Sequence, residues 1–226
     1  MSSNPSNPTP LVPLRAWRPF LCLALGLSLI IAAPGHDLFT AYIQHRLALT
    51  LGAQYLDVTV QLTFFEDGSQ HEREHMDTNG DGQLSRSEID RYLASLESSS
   101  AQAITLRLAG KPVALTPLYA PQLDLLGNDR VGRGHHRLTL HFFATTPNDL
   151  AANTEFTIED RLWPEVRALG SLQVEGRDGA RLEALPAADP LHPPARDGAA
   201  REFRARLLDP PALPIDTPGA PVHTQP

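Results

Sequence analysis

In the stretch Asp77-Thr78-Asn79-Gly80-Asp81-Gly82-Gln83-Leu84-Ser85-Arg86-Ser87-Glu88, oxygen-bearing side chains fall at the first, third, fifth, ninth and twelfth places, with glycine at the sixth. A hard cation such as Ca²⁺ takes about six to eight oxygen ligands, and this spacing supplies them. Asp77, Asn79 and Asp81 would each give one side-chain oxygen, and Gln83 its main-chain carbonyl. Ser85 would add a direct or water-mediated contact, and Glu88 both carboxylate oxygens. Gly82 lets the chain turn sharply under the ion, because glycine takes a positive φ without a Cβ clash. Leu84 would point away from the ion into apolar packing. A solvated Asp/Asn/Gly turn is the bland alternative; it explains neither Glu88 at the twelfth place nor Leu84 at the eighth.

On these residues the chain resembles the EF-hand family. The resemblance covers residues 69–98 and implies a helix–loop–helix unit with Ca²⁺ as the bound ion. Such units usually occur in pairs, but the stretches starting at Asp124, Asp178 and Asp197 each fail the ligand pattern. A single loop without a partner loop favours a structural clamp over a switch.

A rival chemistry lies immediately upstream. His71-Glu72-Arg73-Glu74-His75 matches H-E-x-x-H, which on a helix puts two imidazoles on one face for Zn²⁺, with Glu72 as general base. Charged Arg73 and Glu74 fill the middle positions, and Thr78 and Asp81 stand where the longer motif needs glycine and histidine. A solvated, charge-rich incoming helix is the plainer reading, and a zinc peptidase is kept as an alternative. A second alternative uses His36: as a mature N-terminus its amine and imidazole would chelate copper or nickel, beside Asp37, in an accessory protein of a metal transport system. The pair His135-His136 reads as a strand entry. No nucleophile–base triad, P-loop or dinucleotide fingerprint is present.

The elements that must position these residues are mostly strands. Leu47, Leu49 and Leu51 alternate with polar or small neighbours, as do Val58, Val60, Leu62 and Phe64. The same alternation returns at Ile104-Leu106-Leu108, Leu138-Leu140-Phe142, Phe156-Ile158 and Leu172-Val174. Six to eight short strands within residues 36–185 predict a mainly β fold, an Ig-like β-sandwich. Two Ser-x-x-Glu capping boxes, at Ser69/Glu72 and Ser85/Glu88, predict helices over 70–76 and 85–98 interrupting it. Ile89, Tyr92, Leu93 and Leu96 make one apolar stripe on the second helix, packed on the sheet. Asp160 to Pro164 reads as a strand end, with Trp163 capping the core. From Pro186 on, ten of the last 41 residues are proline; residues 200–208 could form a short helix or an added strand, and the remainder of 186–226 is expected to be extended or disordered.

The start of the chain reads as a leader. Phe20 to Ala33 is a fourteen-residue apolar run after a stretch with Arg15 and Arg18 and no acidic residue. A spanning helix needs about 20 apolar residues, so the run suits a signal peptide over residues 1–35, cleaved after Gly35; an uncleaved signal anchor is the alternative. Cys22, the sole cysteine, lies within the run, so the mature chain would hold no disulfide or thiolate site. Removing Arg15 and Arg18 takes the net charge from −7 to −9, which disfavours nucleic acid or an anionic membrane and suits a cation. Arginine makes up all but Lys111 of the basic residues and, with abundant Ala and Pro, indicates a GC-rich bacterial genome.

The sequence therefore predicts a periplasmic or secreted, non-enzymatic Ca²⁺-binding protein. Loose similarity of design to exported domains of metal-transport systems implies an exported or membrane-protein partner. Mass spectrometry of the exported protein should find a chain beginning near His36. An intact Met1 species held in the membrane fraction would favour the signal anchor instead.

Overall fold

Tyr55–Phe64 alternates buried and half-buried side chains along its whole length, burying Leu56, Val58, Val60, Leu62 and Phe64 on one face. This period-two pattern is the geometric consequence of a pleated strand with one side against a core. In the computed structural model the described residues are 42–147, 149–186, 191–192 and 200–212. All belong to the unit Leu38–Pro226. Residues 1–35, read above as a leader, with Cys22 among them, as well as His36 and the end of the proline-rich tail, lie outside the described residues. Among the described residues no helix is long and apolar enough to cross a membrane.

The protein is mainly β, with two sheets and two described helices. In chain order the elements are β1 (Tyr42–Leu51), β2 (Tyr55–Phe64), α1 (Glu66–Met76), α2 (Arg86–Ala103), β3 (Ile104–Leu108), β4 (Lys111–Val113), β5 (Thr116–Pro117) and β6 (Gln122–Asp124). They continue with β7 (His136–Thr145), β8 (Glu155–Asp160), β9 (Arg167–Gly176), β10 (Arg181–Leu185), β11 (Leu191–His192) and β12 (Arg201–Asp209). One sheet runs β11-β9-β1-β2-β7, with β5 and β6 both on the far side of β7; the other runs β10-β12-β8-β3-β4. Every pairing is antiparallel except β1 with β9, in register from Tyr42↔Arg167 to Leu51↔Gly176.

Buried side chains from both sheets form one cluster. Leu47, Val60, Leu62, Leu140 and Phe142 meet Leu106, Phe156, Ile158, Phe203 and Leu207 there. Each such side chain contributes about 1.5–3 kcal/mol by leaving water. A polar link runs through it: His45 on β1 bonds through Nδ1 to Asp160 Oδ2 on β8 at 2.6 Å, both fully buried.

The helices connect the sheets, since β2 of the first leads into α1 and α2 runs directly into β3 of the second. Their bounds differ from the sequence expectation. α1 starts at Glu66, and the Ser69/Glu72 capping box does not form: Phe65 is the N-cap without a side-chain bond, and Ser69 is buried inside the helix. Glu66 and Asp67 instead place negative charge at the helix start, where the dipole favours it. α2 continues through the serine run to Ala103, with the hydroxyls of Ser95, Ser98 and Ser99 bonded back onto carbonyls of the preceding turn, where they do not compete for the amides. The second capping box, Ser85 with Glu88, is fully formed.

The domain end also moves. β12 lies beyond the expected limit at 185 and pairs on both sides, with β10 and β8. It inserts Phe203, Ala205 and Leu207 into the core. Of the two options for residues 200–208, the strand is the one adopted. A chain ended at residue 199 leaves β8 and β10 without their shared neighbour and is expected to lose cooperative urea unfolding, whereas one ended at 212 keeps it. Equal cooperativity of the two would refute the placement of β12.

Candidate functional site

The 77–88 loop is drawn together by its own side chains. Asp77 accepts from the Gly80 amide through Oδ1 (2.8 Å) and from the Gly82 amide through Oδ2 (2.9 Å). Asn79 Oδ1 accepts from the Asp81 amide and Asp81 Oδ1 from the Gln83 amide, both at 2.8 Å. Gly80 and Gly82 have φ of 72° and 80°, the left-handed region where a Cβ would be strained. These bonds curl the chain so that Asp77, Asn79 and Asp81 belong to one turn. Each side-chain oxygen holds one hydrogen bond here and retains capacity for another ligand.

Gln83 stands opposite Arg130 in an isolated antiparallel bridge. The bridge bonds run from its neighbours, Leu84 N–H to Asp129 O (2.7 Å) and Val131 N–H to Gly82 O (3.0 Å). Gln83 thus turns its own N–H and C=O to the other side, where Asp81 takes the N–H. Its carbonyl is the group the sequence assigns to a cation. Leu84 is buried.

Glu88 closes the loop. It is 3% exposed. Its Oε1 accepts from the Thr78 amide (2.9 Å), the Thr78 hydroxyl (3.1 Å) and the Asn79 amide (3.2 Å). Its Oε2 accepts from the Ser85 amide (2.9 Å) and hydroxyl (2.7 Å). Donation from Ser85, then from Asn79 and Thr78, holds its carboxyl down at about 2 against the opposing effect of burial. Glu88 is therefore charged at neutral pH. No arginine, lysine or histidine pairs with Asp77, Asp81 or Glu88 among the described residues. Arg91 reaches the loop but donates to the Thr78 hydroxyl (2.8 Å).

The donor set suits a hard cation in type and number, with one qualification. Glu88 already receives five bonds, so ligation through both oxygens requires the Thr78 and Asn79 donors on Oε1 and a Ser85 donor on Oε2 to give way. No three His, Cys, Asp or Glu side chains form a ready metal cluster among the described residues. The loop's set draws also on an amide, a hydroxyl and a main-chain carbonyl.

Of the H-E-x-x-H residues, the structure brings together the two histidines: His71 and His75 are exposed on α1, with ring centroids 4.5 Å apart. Glu72 is buried, and its oxygens accept from Tyr92 Oη (2.6 Å) and Trp163 Nε1 (3.0 Å). Tyr92 is thus diverted from the apolar stripe, while Leu93 and Leu96 pack against the core.

The residue that sequence reasoning missed is Arg73, fully buried within the motif. Its guanidinium donates Nη1 to Asn128 O (2.6 Å) and Arg130 O (2.8 Å), Nη2 to Leu125 O (3.1 Å) and His135 O (3.0 Å), and Nε to Ser69 Oγ (3.2 Å). All five N–H donors are used. Burial pulls its pKa below the ordinary arginine value, and the charge of Asp129 partly offsets this. Beside it the Ser69 hydroxyl donates to Gly134 O and meets His136 Nδ1 at 2.6 Å. His136 stacks on Phe64 with centroids 4.4 Å apart. No signal in the sequence marks Arg73, because four of its five N–H donors go to main-chain carbonyls more than fifty residues away.

No protein-family model and no curated protein matches the chain.

Burial, with the charges of Arg73 and His135, pushes His136 down to about 3. Its folded value lies below an unfolded value of about 6.5, so the unfolded chain takes up a proton first. The contribution is complete above about pH 6.5 and is lost as the pH falls toward 3, with a slope of about 1.4 kcal/mol per unit. From pH 7 to pH 5, urea unfolding in EDTA should show a loss of about 2 kcal/mol that His136→Gln lacks. The same pH dependence in both proteins would mean His136 is not buried neutral.

Proposed function

We propose that this is an exported, non-enzymatic calcium-binding protein, in which one EF-hand-type loop, residues 77–88, inserted into an Ig-like β-sandwich, holds Ca²⁺ as a structural clamp. The observation that carries this reading is Glu88, a buried and charged carboxylate without a cationic partner among the described residues, closing a turn that already orients Asp77, Asn79 and Asp81.

Asp77, Asn79 and Asp81 would hold the ion through side-chain oxygens, Gln83 through the carbonyl its bridge leaves unused, and Ser85 directly or through water. Glu88 would exchange the Thr78 and Asn79 donors and a Ser85 donor for the ion. Calcium would supply the positive charge that Asp77, Asp81 and Glu88 do not find in a side-chain partner among the described residues. Nothing in this role requires catalysis, and Glu72, which a peptidase would use as its base, is held by Tyr92 and Trp163. Export rests on the apolar run at residues 20–33 and fits the millimolar calcium range typical of extracellular sites.

Extracellular modules bind calcium at about 10⁻⁴–10⁻³ M. Calorimetry should give a dissociation constant near that range for the parent, no measurable binding for Glu88→Gln, and an unchanged value for His71→Ala. Glu88→Gln binding as well as the parent would remove the loop as the site.

A further inference from the structure

A lone calcium loop poses a mechanical problem. Its central segment, Gly82 to Leu84, has main-chain groups that must be paired or left loose, and a loose segment cannot hold the Gln83 carbonyl in place. Here that segment is paired. Gly82 O and Leu84 N–H are bonded to Val131 N–H and Asp129 O of the connection between β6 and β7.

That connection is itself irregular. Leu126 and Gly127 have φ of 54° and 82°, and Gly132 of 153°. Main-chain bonds of regular structure do not hold it. One side chain gathers most of it: four carbonyls spread across it, those of Leu125, Asn128, Arg130 and His135, accept from the two terminal nitrogens of Arg73, while Asp124 Oδ1 accepts from the Leu126 amide and Arg133 pairs with Asp67. The fifth N–H goes to Ser69, whose hydroxyl donates to Gly134 of the same connection. Asn128 adds an internal bond, its Oδ1 accepting from the Arg130 amide (3.1 Å). Arg73 lies on α1, and the loop begins where α1 ends, with the Asp77 amide donating to Arg73 O (3.0 Å). The same residue thus fixes the start of the loop through its main chain and the partner of the loop's centre through its side chain.

We propose that residues 125–135 serve as the built-in pairing partner of the 77–88 loop, and that Arg73 is the positioning residue that sets its calcium affinity without touching the ion. This rests on the calcium reading above. A lysine cannot replace Arg73, because one ammonium has three donors and no planar fork to reach four carbonyls. The paired edge also leaves Gly82 and Leu84 unavailable to a second copy, so one chain should bind one ion at any protein concentration.

The test is calcium calorimetry on residues 36–226, with apo stability measured by urea unfolding alongside. Arg73→Lys should weaken calcium binding by about tenfold or more, the scale of outer-shell changes at metal sites. Val131→Pro removes the amide that bonds Gly82, fixes φ at that position and restricts Arg130, so it disturbs the pairing at its centre and should weaken binding similarly, while Val131→Ala keeps that amide and should bind as the parent does. A merely structural role for Arg73 would lower apo stability and leave the dissociation constant alone. If Arg73→Lys and Val131→Pro both bind like the parent while Glu88→Gln does not bind, the pairing inference fails and the calcium reading stands. If the parent itself takes up no calcium, both fail.

Discussion

A buried guanidinium bonded to main-chain carbonyls is the constraint around which the helical region is arranged. Taking a charge out of water costs several kcal/mol unless its donors are met, and Arg73 meets all five without bonding a carboxylate. The carbonyls come from one connection, so that connection has to wrap the guanidinium. α1 in turn has to present this face to it. Once α1 is fixed in rotation, the other residues of the motif follow: Glu72 faces Tyr92 and Trp163, and His71 and His75 face solvent. Within this pattern Arg73 and Glu72 tie the helix to its neighbours.

Two regimes of stability meet at this helix. The sheets are held by apolar burial and by long ladders such as β1 with β2 and β2 with β7. They need no ion. The 77–88 loop is held by side-chain to amide bonds, many of them exposed. Exposed hydrogen bonds contribute little net stability. If the loop takes up a cation, its order is the part of the structure that would respond first, and its main-chain bonds to Asp129 and Val131 tie it to the connection at 125–135.

The strands and the loop were legible in the sequence because each follows a local rule. Period-two alternation marks strands such as Val58 to Phe64, and oxygen spacing marks the loop from Asp77 to Glu88. β12 carries the same alternation at Phe203, Ala205 and Leu207, but its surroundings are rich in proline and its first inward residue is Arg201. Arg201 is tolerated there because it donates to the carbonyls of Leu162, Trp163 and Val166. Ser69 with Glu72 has the spacing of a capping box, yet both are committed elsewhere, Ser69 to His136 and Glu72 to Trp163. Arg73 was not legible at all: its partners are main-chain atoms more than fifty residues away, and carbonyls leave no mark in a sequence.

The most direct measurement is amide hydrogen exchange on residues 36–226 with and without calcium. Protection should be gained over residues 77–88 and also over 125–135, with β1 and β2 unchanged. Protection confined to 77–88 would contradict the coupling through Arg73, and no change in either segment would contradict the calcium site itself.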